Sequence, residues 1–155
     1  MKYLAAATLL LLGVAGSVQA AGDPEAGKAK AAACVACHGA DGNSVNPIWP
    51  KLAGQGAPYL AKQVRDFKAG VRKDPVMSGM AMAVQDADMD DLMAYYASQA
   101  IVPGVPVKPE LVEQGKAIYD NGVGAKGLAA CAACHGPNGV GNPPAKFPAL
   151  RSQHV

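Results

Sequence analysis

Aromatic side chains are scarce in this chain: they make up 5% of it, with one tryptophan and two phenylalanines. Glycine (18) and proline (12) are plentiful instead. A chain of this size and make-up buries little apolar surface alone, so a large apolar cofactor is the natural source of a core. No basic run is present, which argues against a nucleic-acid partner. No segment alternates apolar and polar residues with period two, so strands are not expected and the fold class is all-α. Methionine is absent after Met93.

The N-terminus has its own character. Met1-Lys2 gives a positive start, Leu4 to Val14 is apolar and uncharged, and Ser17-Val18-Gln19-Ala20 ends in small residues. This pattern reads as a secretory signal cleaved after Ala20. The apolar run is shorter than the roughly 20 residues of a spanning helix, which disfavours a retained anchor. The expected destination is therefore outside the cytoplasm.

Four cysteines in an exported protein ordinarily suggest two disulfides. Here they stand in two copies of C-x-x-C-H: Cys34-Val35-Ala36-Cys37-His38 and Cys131-Ala132-Ala133-Cys134-His135. Two thiols at this spacing each add to one vinyl group of a single haem, and the adjacent His projects its imidazole at the iron. Zinc binding does not require a His at that place. Thioredoxin-like chemistry expects a βαβ context. A disulfide within C-x-x-C closes a very small loop. Two covalently attached haem c groups are the reading, with Cys34, Cys37, Cys131 and Cys134 binding them and His38 and His135 as proximal iron ligands.

The chain also repeats itself around the motifs. Cys34 to Leu52 matches Cys131 to Leu150, the match reaches Gln55 and Gln153, and Gly27-Lys28-Ala29 matches Gly115-Lys116-Ala117. The expected division is 1–20 signal peptide, 21–102 first unit, 103–109 Pro-rich linker and 110–155 second unit. In the first unit, helices are expected over 24–33 (capped by Asp23, with Pro24 at its first position), from Pro58 to a stop at Gly70, and over 86–99. Residues 39–56 are expected to be loop. Asp41 and Asp86 read as turn and cap residues.

A sixth iron ligand is sought among Met77, Met80 and Met82, in a Pro- and Gly-containing loop before the last helix. A thioether there closes the site for electron transfer and raises the potential. Met77 is favoured, with Met80 the alternative. Met89 and Met93, four apart on a helix, are expected to pack in the core.

The sequence resembles class I c-type cytochromes, and within them the dihaem cytochrome c4 family. The likeness rests on AGDPEAGKAKAAACVACHGADGNS at 21–44, PKLAGQGAPYLAKQ at 50–63, MSGM at 77–80, DDLMAYYASQ at 90–99 and CAACHGPNGVGN at 131–142. The resemblance implies tandem cytochrome c domains related by a pseudo-twofold axis, with His38 and Met77 as ligands of the first haem. It implies a periplasmic carrier of single electrons, not an enzyme, working between redox partners such as an upstream reductase complex and a terminal oxidase. It leaves room for peripheral membrane association. It also suggests that Gly27 packs against Tyr95 or Tyr96. Alternative functions are a cytochrome subunit of a dehydrogenase complex and a dihaem peroxidase. The second unit departs from the pattern, since it lacks a Met loop and a last helix. It is expected to be incomplete, the chain being a fragment. Otherwise its sixth ligand is His154, at the place of Gly56 in the repeat, or the position is open.

Overall fold

The computed structural model describes residues 22–104 and 108–154; the expected signal peptide and residues 105–107 of the expected linker lie outside this range. The described residues form seven α-helices joined by turns and short 3₁₀ segments. They contain no sheet, only isolated antiparallel bridges between Val123 and Leu128 and between Asn142 and Phe147. No described helix is long and apolar enough to cross a membrane.

Helix α1 spans Pro24–Lys30. Its start is set as the sequence suggests: the Asp23 carboxylate accepts hydrogen bonds from the N–H groups of Glu25 (2.9 Å) and Ala26 (3.4 Å), and Pro24 stands where no donor is needed. The helix ends earlier than expected. Ala31 donates to Lys28 O rather than to a carbonyl four residues back, which breaks the axis, and α2 (Ala32–His38) begins anew. The first C-x-x-C-H motif therefore lies on a helix of its own.

Residues 39–56 contain no helix longer than a turn, in keeping with their Gly, Pro and Asn content. Helix α3 follows at Ala57–Lys68 and is succeeded by Gly70 at φ +70°. The methionine segment is not a loop. It forms a short helix, α4 (Met77–Met82), at whose start the N–H groups of Val76, the residue before it, and Met77 donate to Asp74 Oδ1 at 2.9 and 2.8 Å. Helix α5 (Met89–Ser98) comes after a 3₁₀ turn at Asp86–Asp88. Asp86 makes no cap there; its carboxylate instead accepts from Lys68 Nζ at 2.7 Å.

The core sits where α5 crosses α1 and α3. Met89, Leu92, Met93, Tyr95 and Tyr96 of α5 are buried with Ala31, Leu60 and Ala61, so the packing role of Met89 and Met93 holds. Gly27 makes the crossing close: a β-carbon there would lie 2.0 Å from Asp91 O and 2.8 Å from Tyr95 Cβ. Lys30 adds a bridge to Asp88 (2.9 Å) and Asp91 (2.7 Å), and Asp91 also accepts from Asp23 N (2.8 Å).

Helices α6 (Val112–Asn121) and α7 (Ala132–His135) make up the second unit. Neither has a buried residue, and among the described residues no helix crosses α6 as α5 crosses α1.

Candidate haem-attachment sites

Positions three and four apart on a helix share a face, so α2 presents Cys34, Cys37 and His38 together. The ring of His38 is buried, with 5% of the residue exposed, and its Nδ1 lies 2.8 Å from Pro50 O. A carbonyl oxygen only accepts, so Nδ1 carries the proton and Nε2 keeps its lone pair for a metal. This is the outer partner that fixes tautomer and orientation in metal-binding histidines.

The second motif repeats the device. His135 Nδ1 lies 2.9 Å from Pro148 O, the equivalent position in the repeat. The turn behind each motif is matched as well. Gly42 O accepts from Leu52 N and Ala53 N, and Gly139 O accepts from Leu150 N and Arg151 N. Gly39 and Gly136 leave the helices at φ +83° and +72°, backbone that favours glycine. A tyrosine hydroxyl closes each turn: Tyr95 donates to Ala40 O and Tyr119 to Gly136 O, both at 2.6 Å.

The surroundings differ. Cys34 and Cys37 are half-buried, whereas Cys134 is exposed and His135 only half-buried. Burial pushes the Cys34 thiol up, against the smaller opposing effect of the Tyr96 hydroxyl beside it. Of the three candidate methionines, Met77 is half-buried while Met80 and Met82 are 41% and 61% exposed. His154 turns away from the second motif. Ser44 is buried and donates to Trp49 O at 2.6 Å, so at 2.8 Å it accepts from His154 Nε2. That nitrogen is thus committed to the first unit. Asp41 is the turn residue expected, its carboxylate accepting from Asn43 N (3.0 Å) and Nδ2 (2.9 Å), which holds it below the usual range.

Sequence reasoning missed how the two units meet. The Gln55 side chain donates to Ala149 O (3.0 Å) and accepts from Ala149 N (2.8 Å). The Gln153 side chain donates to Lys51 O (2.8 Å) and accepts from Lys51 N (3.1 Å). Gln55 and Gln153 are equivalent in the repeat, as are Lys51 and Ala149, so each glutamine clasps the same backbone station on the opposite unit. The repeat of the two glutamines was the available signal.

This donor set fits a covalently bound haem. Each motif offers two thiols and one imidazole nitrogen on a common face. The four cysteines form no disulfide, and among the described residues no three His, Cys, Asp or Glu side chains converge on a metal-ion site. Among the described residues the buried Tyr96 hydroxyl beside Cys34 finds no hydrogen-bond partner of normal geometry.

The family model for cytochrome c matches residues 24–100. Cytochrome c4 of Pseudomonas aeruginosa is 50% identical over the whole chain, which spans 77% of that relative, and cytochrome c4 of Azotobacter vinelandii is 50% identical over 95% of the chain, which spans 74% of it. The crystal structure of reduced recombinant cytochrome c4 from Pseudomonas stutzeri is 47% identical and superposes with a TM-score of 0.79, covering 86% of this chain and 75% of that one. On sequence and fold together, the chain belongs to the cytochrome c4 family, a family of c-type electron carriers.

Proposed function

We propose that this chain is a periplasmic dihaem carrier of single electrons. One haem is attached through Cys34 and Cys37 with His38 as proximal ligand, the other through Cys131 and Cys134 with His135. The bound group supplies an iron that gains and loses one electron. The chain's own residues hold the imidazoles: Pro50 O and Pro148 O keep Nδ1 protonated and the rings fixed. That repeated bond is the observation that carries the reading. Met77 is the sixth ligand of the first haem, with Met80 the alternative; partial burial at the start of α4 supports Met77. Residues 21–102 and 110–155 are the two haem units, 103–109 joins them, and 1–20 is the export signal.

The test is a redox titration of the haem-loaded chain followed by visible spectra. Met77→Ala is expected to abolish the methionine-ligated low-spin signal of one haem and lower its potential, while Met80→Ala leaves both in place. The reverse pattern assigns Met80, and no change in either variant overturns methionine ligation at this site. Attachment is checked separately, by the mass of haem-bearing peptides.

The partners are redox proteins, an upstream reductase and an acceptor such as a terminal oxidase. A dehydrogenase as electron donor is the second reading. The thiosulfate dehydrogenase electron acceptor of Thiomonas intermedia, 40% identical over 98% of the chain, favours it, as does a solved thiosulfate dehydrogenase from Marichromatium purpuratum that is 33% identical with a TM-score of 0.72. Reduction of the purified chain by such a dehydrogenase with its substrate, compared with reduction by a quinol-oxidising complex, separates the two.

A further inference from the structure

Tyr95 and Tyr96 are neighbours on α5, with ring centroids 5.1 Å apart, yet their hydroxyls differ. Tyr95 donates to Ala40 O. Tyr96 is 1% exposed, and among the described residues its hydroxyl is the one buried side-chain polar atom without a hydrogen-bond partner. Native interiors rarely leave such a group unpaired, and each case asks for a missing partner.

The ring cannot turn away to find one. A β-carbon on Gly42 would lie 2.7 Å from Tyr96 Cδ1, so the backbone of the turn behind the motif presses on the ring edge. The Tyr96 carbonyl is tied to Gly54 N at 2.9 Å, which anchors the residue from its other end. Burial pushes the phenol up, with the neighbouring Cys34 adding to the effect, so the hydroxyl remains a donor throughout the physiological range. Cys34 packs against the buried cluster that contains Tyr96, which brings its sulfur to the side of that hydroxyl.

A free thiol can donate and accept. A thioether sulfur has no hydrogen and only accepts, weakly. Attachment thus converts Cys34 into the complement of the unpaired donor.

We propose that the Tyr96 hydroxyl donates a hydrogen bond to the thioether sulfur of Cys34, which makes Tyr96 a positioning residue for the first haem. The inference rests on the attachment reading above. It sets the first haem apart from the second: Tyr119, the tyrosine nearest the second motif in sequence, already spends its hydroxyl on Gly136 O.

The test is a double-mutant cycle in the haem-loaded full chain, read by thermal unfolding and by the carbon–sulfur stretching region of the resonance Raman spectrum. Tyr96→Phe keeps the ring and removes only the hydroxyl. In the parent it is expected to lower the unfolding midpoint and shift one carbon–sulfur band. In a Cys34→Ala background, where haem remains held through Cys37, it is expected to leave the midpoint unchanged or raise it. Tyr95→Phe serves as the structural control, because loss of its bond to Ala40 O lowers the midpoint equally in both backgrounds.

Equal losses from Tyr96→Phe in both backgrounds, or unshifted carbon–sulfur bands, overturn the inference while leaving attachment intact. The Raman shift does not depend on comparing stabilities and stands even where the Cys34→Ala variant folds poorly. A Cys34 peptide that carries no haem by mass overturns the attachment reading and this inference together.

Discussion

The two copies of the motif share a local scaffold and differ in what covers it. Around Cys34–His38 and around Cys131–His135 the same parts recur: a short helix, a left-handed glycine at its exit, a proline carbonyl on the histidine, and a glycine carbonyl receiving two N–H groups. All of these are set within some twenty residues of each motif. Burial is not. His38 is buried, in a unit that the crossing of α5 and α1 closes, whereas His135, beside the edge of Phe147 (ring centroids 6.0 Å apart), is only half-buried. Tyrosine shows the same split. The hydroxyl that closes the turn comes from α5 in the first unit and from α6 in the second, two elements with no sequence equivalence. The geometry of the donor set is therefore a local property, and its enclosure a non-local one.

The sharpest way to probe that difference is at the paired glycines, Gly27 and Gly115. Gly27→Ala forces a β-carbon into the Asp91 backbone, so it should cost about 3 kcal/mol, at or beyond the upper end of overpacking. Chemical denaturation of the haem-loaded chain reads it. An unchanged midpoint would mean that α1 and α5 are not held this closely.

The clasp between the units comes next. Gln55→Ala strips both partners from the buried backbone of Ala149 and should cost about 2 kcal/mol. Gln153→Ala does the same to Lys51 and should cost somewhat less, because Gln153 is itself only half-buried. Both variants should separate unfolding of the two units into resolvable steps. A single transition in both variants, with no loss of stability, would show that the clasp does not couple the units.

Gly115→Ala should have the opposite sign to Gly27→Ala. A β-carbon there meets nothing within 4 Å among the described residues, so the change should stabilise α6 by about 0.5–1 kcal/mol. Destabilisation instead would reveal a close neighbour for α6 and erase the contrast between the units.

The smallest effect is acid sensitivity, and it should fall on the first unit. The Lys30 ammonium and the Asp23 N–H hold the Asp91 carboxyl low, and the Asn43 N–H groups do so for Asp41. A lowered folded pKa contributes stability above the unfolded value of about 4 and loses it as pH falls through the folded value. The unfolding midpoint should thus drop modestly below about pH 4, and Asp91→Asn should flatten that drop in a pH series.

Much of the site was legible because its signals are short-range. Asp23 and Pro24 mark the start of α1, and the spacing of the cysteines and histidines places the donors on one face. The break at Ala31 was not legible, since alanine favours helix on both sides of it and only the turn toward the motif requires the interruption. The segment 77–82 reads as loop because Pro75 and Gly79 outweigh a six-residue pattern; the Asp74 carboxylate, three residues upstream, supplies the start that makes it a helix. The clasp joins residues 94 and 102 positions apart, beyond the reach of any periodicity. Only the recurrence of Gln at 55 and 153 hinted at it.

The clasp also bears on how such a molecule can change over generations. Each glutamine reads the peptide group of its target and never the side chain. The targets, Lys51 and Ala149, are a cation and a methyl group, and the amide is indifferent to that. The facing of the halves therefore does not depend on which side chain each station carries, although both stations are buried and the Lys51 ammonium also donates to Val102 O at 2.8 Å. Two amides, one per repeat, thereby carry the heritable instruction for how the halves face each other.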